Sequence, residues 1–135
     1  MSARPLALLH LVNAVLTIAA FVLGNFFPPT LFKWVGVDIH HDAYLAPYML
    51  GSAELPIGLM SLAILRITDA RAVRAWSLAC AVFHFASVGS ELHAEALGIE
   101  SGSSAWINIA LRTTLGILFL VLGVVRVPRD QSVRW

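Results

Sequence analysis

Charge is scarce in this sequence. Asp, Glu, Lys and Arg make up 13% of its 135 residues, about half the share usual in soluble domains. The two signs nearly cancel, leaving +1, so nothing in the charge points to nucleic acid. Cysteine is scarcer still. Cys80 stands alone, which excludes an internal disulfide, a CxxC redox pair and a cysteine-based zinc cluster; it reads as a small core residue. Phosphate loops, dinucleotide fingerprints and serine nucleophile elbows are missing, as are repeats and low-complexity segments. His40, His41 and Asp42 are adjacent but cannot share a helix face, and no HxxxH or HExxH spacing occurs, so neither a metal nor any other cofactor is expected.

What the chain has instead is apolar length: 59% of it is hydrophobic. A membrane span needs about 20 mostly apolar residues, and four segments qualify, Pro5 to Phe27, Ala43 to Ile67, Ala72 to Leu97 and Ser104 to Val127. They predict an all-α, four-helix transmembrane bundle in a single domain, 1–135. The breaks carry turn chemistry: PPT at Pro28–Thr30, TDAR at Thr68–Arg71, GIESGSS at Gly98–Ser104, and Pro128 after the last span. Leu6 to Leu23 also has the look of a signal-peptide core, but one Arg precedes it and no clean small-residue cleavage site follows, so it reads as a span.

The few cations fix an orientation. Seven of the nine Lys and Arg residues, Arg4, Arg66, Arg71, Arg74, Arg126, Arg129 and Arg134, fall on one side of a four-span chain. The positive-inside rule makes that side cytoplasmic, with both termini. The other side holds Asp38, Asp42, Glu95 and Glu100 with Lys33. Its long connection, Gly24 to Ala43, carries Phe26, Phe27, Phe32 and Trp34. Pro29 can start a short helix there, expected to lie in the outer interface as an anchor or a lid.

Polar residues inside the spans are few and fall at overlapping depths. At 1.5 Å per residue, Asn108 lies about 6 Å from the outer ends, Glu91 about 9 Å, Arg112 about 12 Å, Glu54 about 16 Å, and His84 and Asn13 about 20 Å. Their faces agree. Gly51, Glu54, Gly58 and Ser61 share one face of the second span. Ser77, Cys80, His84, Ser87, Glu91 and Glu95 form a stripe on the third, with His93 off it. Asn108, Arg112, Gly116, Phe119 and Gly123 share a face of the fourth. A charge at a span's centre costs about 2.5–3.5 kcal/mol, so these groups are expected to meet. Arg112 should pair with Glu54 or Glu91, with the other carboxyl group protonated or sharing a proton with His84. Pro56 removes a helical N–H from the Ser52 carbonyl and is expected to kink the helix beside Glu54. Asn13 and Asn108 can act as interhelical glue. His10 is expected at the inner interface, where an amphipathic ring is comfortable.

PTLFKWVGVD, GSAELPIGLM, FHFASVGSELHA and WINIALRTTLGILF together resemble the DoxX-like and BphX-like small membrane proteins, over about Pro29 to Phe119. The resemblance implies a four-helix bundle in a bacterial inner (plasma) membrane, in a group that includes subunits linked to quinone-dependent sulfur oxidation and proteins that accompany aromatic degradation. Many relatives carry an acid–arginine pair at the start of the second helix. Here that stretch is AYLAPYML, so no catalytic residue is carried over.

Two main functions follow from the residues. One is a pocket for a small lipophilic molecule with a polar head (quinone-like, aromatic or terpenoid), with Arg112, Glu54 and His84 hydrogen-bonding the head, Asn13, Asn108 and Ser87 beside them, and Phe83, Phe85, Trp106 and Phe119 as apolar walls. The other is a cofactor-independent isomerase or cyclase with Glu54 as acid and Glu91 or His84 as base. A proton-coupled transporter and a purely structural subunit are the remaining readings. Membrane lipids are expected partners in each case, with a homo-oligomer or larger membrane complex possible.

Overall fold

The computed structural model describes residues 4–35, 40, 44–98, 103–128 and 132–135. These residues are helical, with a single isolated antiparallel bridge between Asp69 and Ser132. The elements are α1 (Arg4–Phe26), α2 (Pro28–Val35), α3 (Leu45–Ala63), α4 (Ala70–Ala96) and α5 (Ser103–Leu118). A 3₁₀ turn, Ile64–Arg66, ends α3, and a π-helical segment, Phe119–Val125, continues α5. Four helices, Arg4–Phe26, Tyr48–Arg66, Ala70–Ala96 and Ser103–Val125, are long and apolar enough to cross a membrane. They match the four hydropathic runs of the sequence.

Local chemistry sets the ends. Asp69 caps α4, its carboxylate accepting from the Arg71 backbone N–H at 3.0 Å, which satisfies one of the donors a helix start leaves open. The helix therefore begins at Ala70, two residues before the expected Ala72. At the other end Gly98 adopts φ 69°, and its N–H reaches the Glu95 carbonyl at 2.9 Å. Only glycine takes that left-handed backbone without strain, so it stops the helix. Pro28 and Pro29 open α2, where a missing N–H does no harm. In the π segment the Arg126 N–H bonds the Val121 carbonyl at 3.1 Å, a five-residue step that hydropathy cannot announce.

The bundle is two helix pairs. α1 packs along α3 and α4 along α5, and α1 also meets the π segment. Within the first pair the backbones come close because α3 turns glycines toward α1. A Cβ at Gly58 would sit 2.7 Å from the Ile18 and Thr17 side chains, and one at Gly51 would strike Asn25. In the second pair, a Cβ at Gly116 would sit 2.9 Å from the Phe85 ring, and one at Gly123 would strike Ser77. Small residues do this job where the surroundings are as apolar as the side chains themselves. Leu8, Val15, Met49, Leu59, Val82, Ile107 and Val125 are exposed at the perimeter.

The apolar core gathers at the basic end, around Leu6, Leu9, Ile64, Val73, Leu115 and Phe119. The chain's last residues return to close it. The Val133 N–H donates to the Thr68 carbonyl at 2.8 Å, and Trp135 Nε1 to the Ile67 carbonyl at 2.8 Å. Arg74 Nη1 donates to the Val127 carbonyl at 2.6 Å. Pro128 thus ends the helix without ending the packed structure. α2 lies against α1 and α5 at the opposite end.

Candidate functional site

The second-span face read from the sequence is the buried face of α3: Gly51, Glu54, Gly58 and Ser61 are all buried. Glu54 is 2% exposed although its helix is rimmed by leucine and methionine. It can be there because α5 delivers a cation. Arg112 Nη2 donates to Glu54 Oε1 at 2.9 Å. The same guanidinium turns Nε toward Glu91 Oε1 at 3.6 Å and donates through Nη1 to Ser87 Oγ at 3.3 Å. Asn108, one turn from Arg112, donates Nδ2 to Glu91 Oε1 at 2.6 Å. The Arg112 guanidinium carbon stands 5.5 Å from the centroid of the Phe83 ring, a cation–π contact. One arginine therefore serves carboxylates from two helices, with the flat, five-donor fork of a guanidinium holding its directions fixed. The side chains of Arg112 and Glu91 are 17% and 16% exposed against 3% for Glu54, so the cluster is closed at Glu54 and partly open at Glu91.

A second polar layer lies deeper, below Ser87 on the same α4 stripe. His84 Nε2 meets Asn13 Oδ1 at 2.9 Å, and Asn13 Nδ2 donates to Ser61 Oγ at 2.9 Å. Cys80 Sγ approaches Asn13 Nδ2 at 4.0 Å and Ser61 Oγ at 3.9 Å. Thr17 donates to the Asn13 carbonyl at 2.9 Å. Asn13 is wholly buried and joins three helices, α1, α3 and α4. The His84 ring stacks on Phe119, with centroids 5.9 Å apart and planes 13° apart.

A third layer involves His10, and here the expectation from sequence is corrected. His10 is not open to its surroundings but wholly buried by the protein itself. Its Nε2 lies 3.5 Å from Ser77 Oγ. Its ring lies against Phe119 at 5.0 Å and Trp135 at 6.2 Å. The returning tail covers what a simple end to the last span would have left open.

Five members of the α4 stripe, Ser77, Cys80, His84, Ser87 and Glu91, each meet a polar group from another helix. From Ser77 to Glu91 this seam is about 21 Å long at helical rise. It separates the α1/α3 pair from the α4/α5 pair. Of the residues singled out in the sequence, Glu54, Glu91, Arg112, Ser87 and Asn108 come together in the upper layer. His84 and Asn13 pair in the layer below, and Phe119 lies between the His84 and His10 rings. Trp106 does not join them: it is 56% exposed at the perimeter, its place on α5 being off the Asn108–Arg112–Gly116 face. Phe85 packs over Gly116 rather than on the charged cluster. Ser61 and Cys80 are junction residues the sequence reading passed over as spacer and core. The signal for both was available, since each sits on a stripe with an ionisable residue.

No protein family, curated protein or solved structure matches this chain. Whatever the site does must be read from its own groups. Chemically the upper layer offers two carboxylates around one fixed cation, bordered by a neutral amide and a hydroxyl. Among the described residues no three His, Cys, Asp or Glu side chains gather in a metal-binding group; His41 and Asp42 lie outside the described residues.

Proposed function

We propose that this chain is a small multi-pass membrane protein that binds a lipophilic molecule, quinone-like, aromatic or terpenoid, by a polar head at the Arg112 cluster. The observation that carries the reading is Arg112 set between Glu54 at 2.9 Å and Glu91 at 3.6 Å, two carboxylates from different helices in a chain with four membrane-length apolar helices. Intramembrane ionisable groups are expensive, and their usual reason is function. If helix adhesion were the only requirement, Ser and Asn contacts would supply it without charge. Asn108 and Ser87 frame the head, and Asn13 holds His84 in place beneath it. Phe83 forms an apolar wall beside the guanidinium.

In this reading the basic end faces the cytoplasm of a bacterial cell, in its inner (plasma) membrane. The short helix α2 rests at the outer interface, where its contacts with α1 and α5 set it close to the cluster's end of the bundle. The resemblance to DoxX-like and BphX-like proteins agrees with this arrangement and adds the expectation of membrane partners, a second copy or a larger complex. The test is extraction of the protein, purified in mild detergent, followed by mass spectrometry of the organic phase. A molecule retained stoichiometrically by the wild type and lost from Arg112→Met supports the reading. Extracts of both proteins that match the bulk lipids sink it.

A second reading is favoured by the unequal burial of the two carboxylates. Glu54 is closed off while Glu91 is part-open, the kind of inequality that separates an acid from a base in isomerases and cyclases. In this version, unlike the binding reading, Glu54 carries a proton and gives it to the bound molecule, Glu91 or His84 takes a proton elsewhere on it, and Arg112 holds one partner ionised. Turnover of a bound lipid that persists in Glu54→Gln refutes this version and leaves binding intact.

A further inference from the structure

Most donors of the upper layer are committed, and the carboxylate oxygen left over beside them is an acceptor. Arg112 Nη2 and Nη1 donate to Glu54 and Ser87, while Nε, 3.6 Å from Glu91 Oε1, is buried without a hydrogen-bond partner among the described residues and can give its N–H to the oxygen of a hydroxyl group. Asn108 Nδ2 is directed at Glu91, and the Ser87 hydroxyl donates to the Phe83 carbonyl at 2.9 Å. Against this, Glu54 Oε2 is buried with no hydrogen-bond partner among the described residues. As the mate of a guanidinium at 2.9 Å, Glu54 serves as a carboxylate, which accepts at both oxygens and donates at neither. One turn below Ser87, the same asymmetry recurs. Asn13 gives its N–H to Ser61 and so offers its oxygen to His84. That makes His84 Nε2 the donor and Nδ1 a bare acceptor. His84 Nδ1 is likewise buried and without a partner among the described residues, on a side chain that is 2% exposed.

A buried acceptor without a donor is unfavourable by about 1–3 kcal/mol, more when it is charged, and two in neighbouring layers constrain what belongs there. We propose that the molecule taken by this site is a lipophilic alcohol or phenol whose hydroxyl group donates to Glu54 Oε2, with His84 Nδ1 as the deeper acceptor. This rests on the binding function proposed above and narrows it by chemical class. An ether or a ketone has only lone pairs to set against those acceptors. A carboxylate is refused for a further reason: two acids already share one arginine, so the cluster has no spare positive charge.

The experiment uses the full-length protein in detergent and matched probes: farnesol with farnesyl methyl ether and farnesoic acid, and 2-naphthol with 2-methoxynaphthalene. Dissociation constants come from isothermal titration and, in competition, from native mass spectrometry. Each hydroxyl compound should bind at least about tenfold more tightly than its methyl ether, the ratio expected for one hydrogen bond to a charged acceptor, and the acid should bind most weakly of its set. Glu54→Gln presents an amide that can donate where the carboxylate accepted, so the hydroxyl preference should fall to about threefold or less. Ethers that bind as tightly as their alcohols overturn the inference while leaving the binding function standing, and so does a hydroxyl preference undiminished in Glu54→Gln. If no probe binds, the binding function falls with it. Should Glu54→Gln fail to fold, the wild-type comparison decides alone.

Discussion

Removing the cation from between its two acids is the sharpest perturbation available. Arg112→Met keeps length and apolar bulk on α5 but leaves Glu54, whose side chain is 3% exposed, with no partner for either oxygen. Breaking a buried pair from one side typically destabilises by about 3–5 kcal/mol, because the surviving charge stays behind. Arg112 is itself 17% exposed, and a carboxyl group can take up a proton, so the lower end, about 3 kcal/mol, is expected here. Glu54→Leu should be milder, because Arg112 keeps Glu91 and Ser87. The double variant should recover much of the loss, since replacing a whole buried pair by apolar residues is often neutral or better. Unfolding by SDS in mixed micelles gives all four corners of the cycle. A coupling of about 1.5 kcal/mol or more stands well above the roughly 0.6 kcal/mol average for interhelical hydrogen bonds in membranes. If Arg112→Met lies within about 0.5 kcal/mol of wild type, or the two single losses simply add, the pair is not what holds these charges in the bundle.

The deeper layers give independent checks. Asn13→Leu strands His84 Nε2 and Ser61 together and should destabilise by about 1–3 kcal/mol in the same assay; a neutral result would mean that the three-helix junction is not formed. Gly58→Val drives a branched side chain into Thr17 and Ile18 at 2.7 Å and should be unfavourable by about 1–3 kcal/mol. Gly89→Ala, with open space around its Cβ position, should be neutral or more stable by up to about 1 kcal/mol. Cys80 is 1% exposed, so a thiol-reactive maleimide should label it only as fast as the bundle opens. Prompt labelling of native protein would contradict the packing around it.

Most of the helical plan was legible because membrane spans advertise themselves by length and composition, and because Pro28, Pro29, Gly98 and Pro128 punctuate them. The start of α4 was misplaced by two residues since Asp69 was taken as part of a link rather than as a cap. The π segment was not legible, because Phe119–Val125 is equally apolar in either hydrogen-bond register. The last four residues were not legible either. Val133 and Trp135 are too few to make a periodic signal, and only the tertiary fold shows that Val133 joins the core and Trp135 meets His10. In the site, the cost of isolated charge was enough to bring Arg112 to Glu54 and Glu91 on paper. Which atoms remain unmatched depends on side-chain direction, which spacing does not carry. Trp106 was misjudged for the same reason: an aromatic ring fits a pocket and a lipid-facing perimeter equally well.

Glu54 and its cation are 58 residues apart, and that separation matters before the protein is finished. During synthesis α3 must settle into the bilayer while Arg112 is still in the ribosome. The growing chain then holds Glu54 in hydrocarbon without its guanidinium, and α4 adds to the need with Glu91, which meets the same guanidinium. A chain cut short before α5 is therefore left with both acids unanswered, whereas one that carries α5 covers both with a single arginine. Both acids are answered together when α5 arrives.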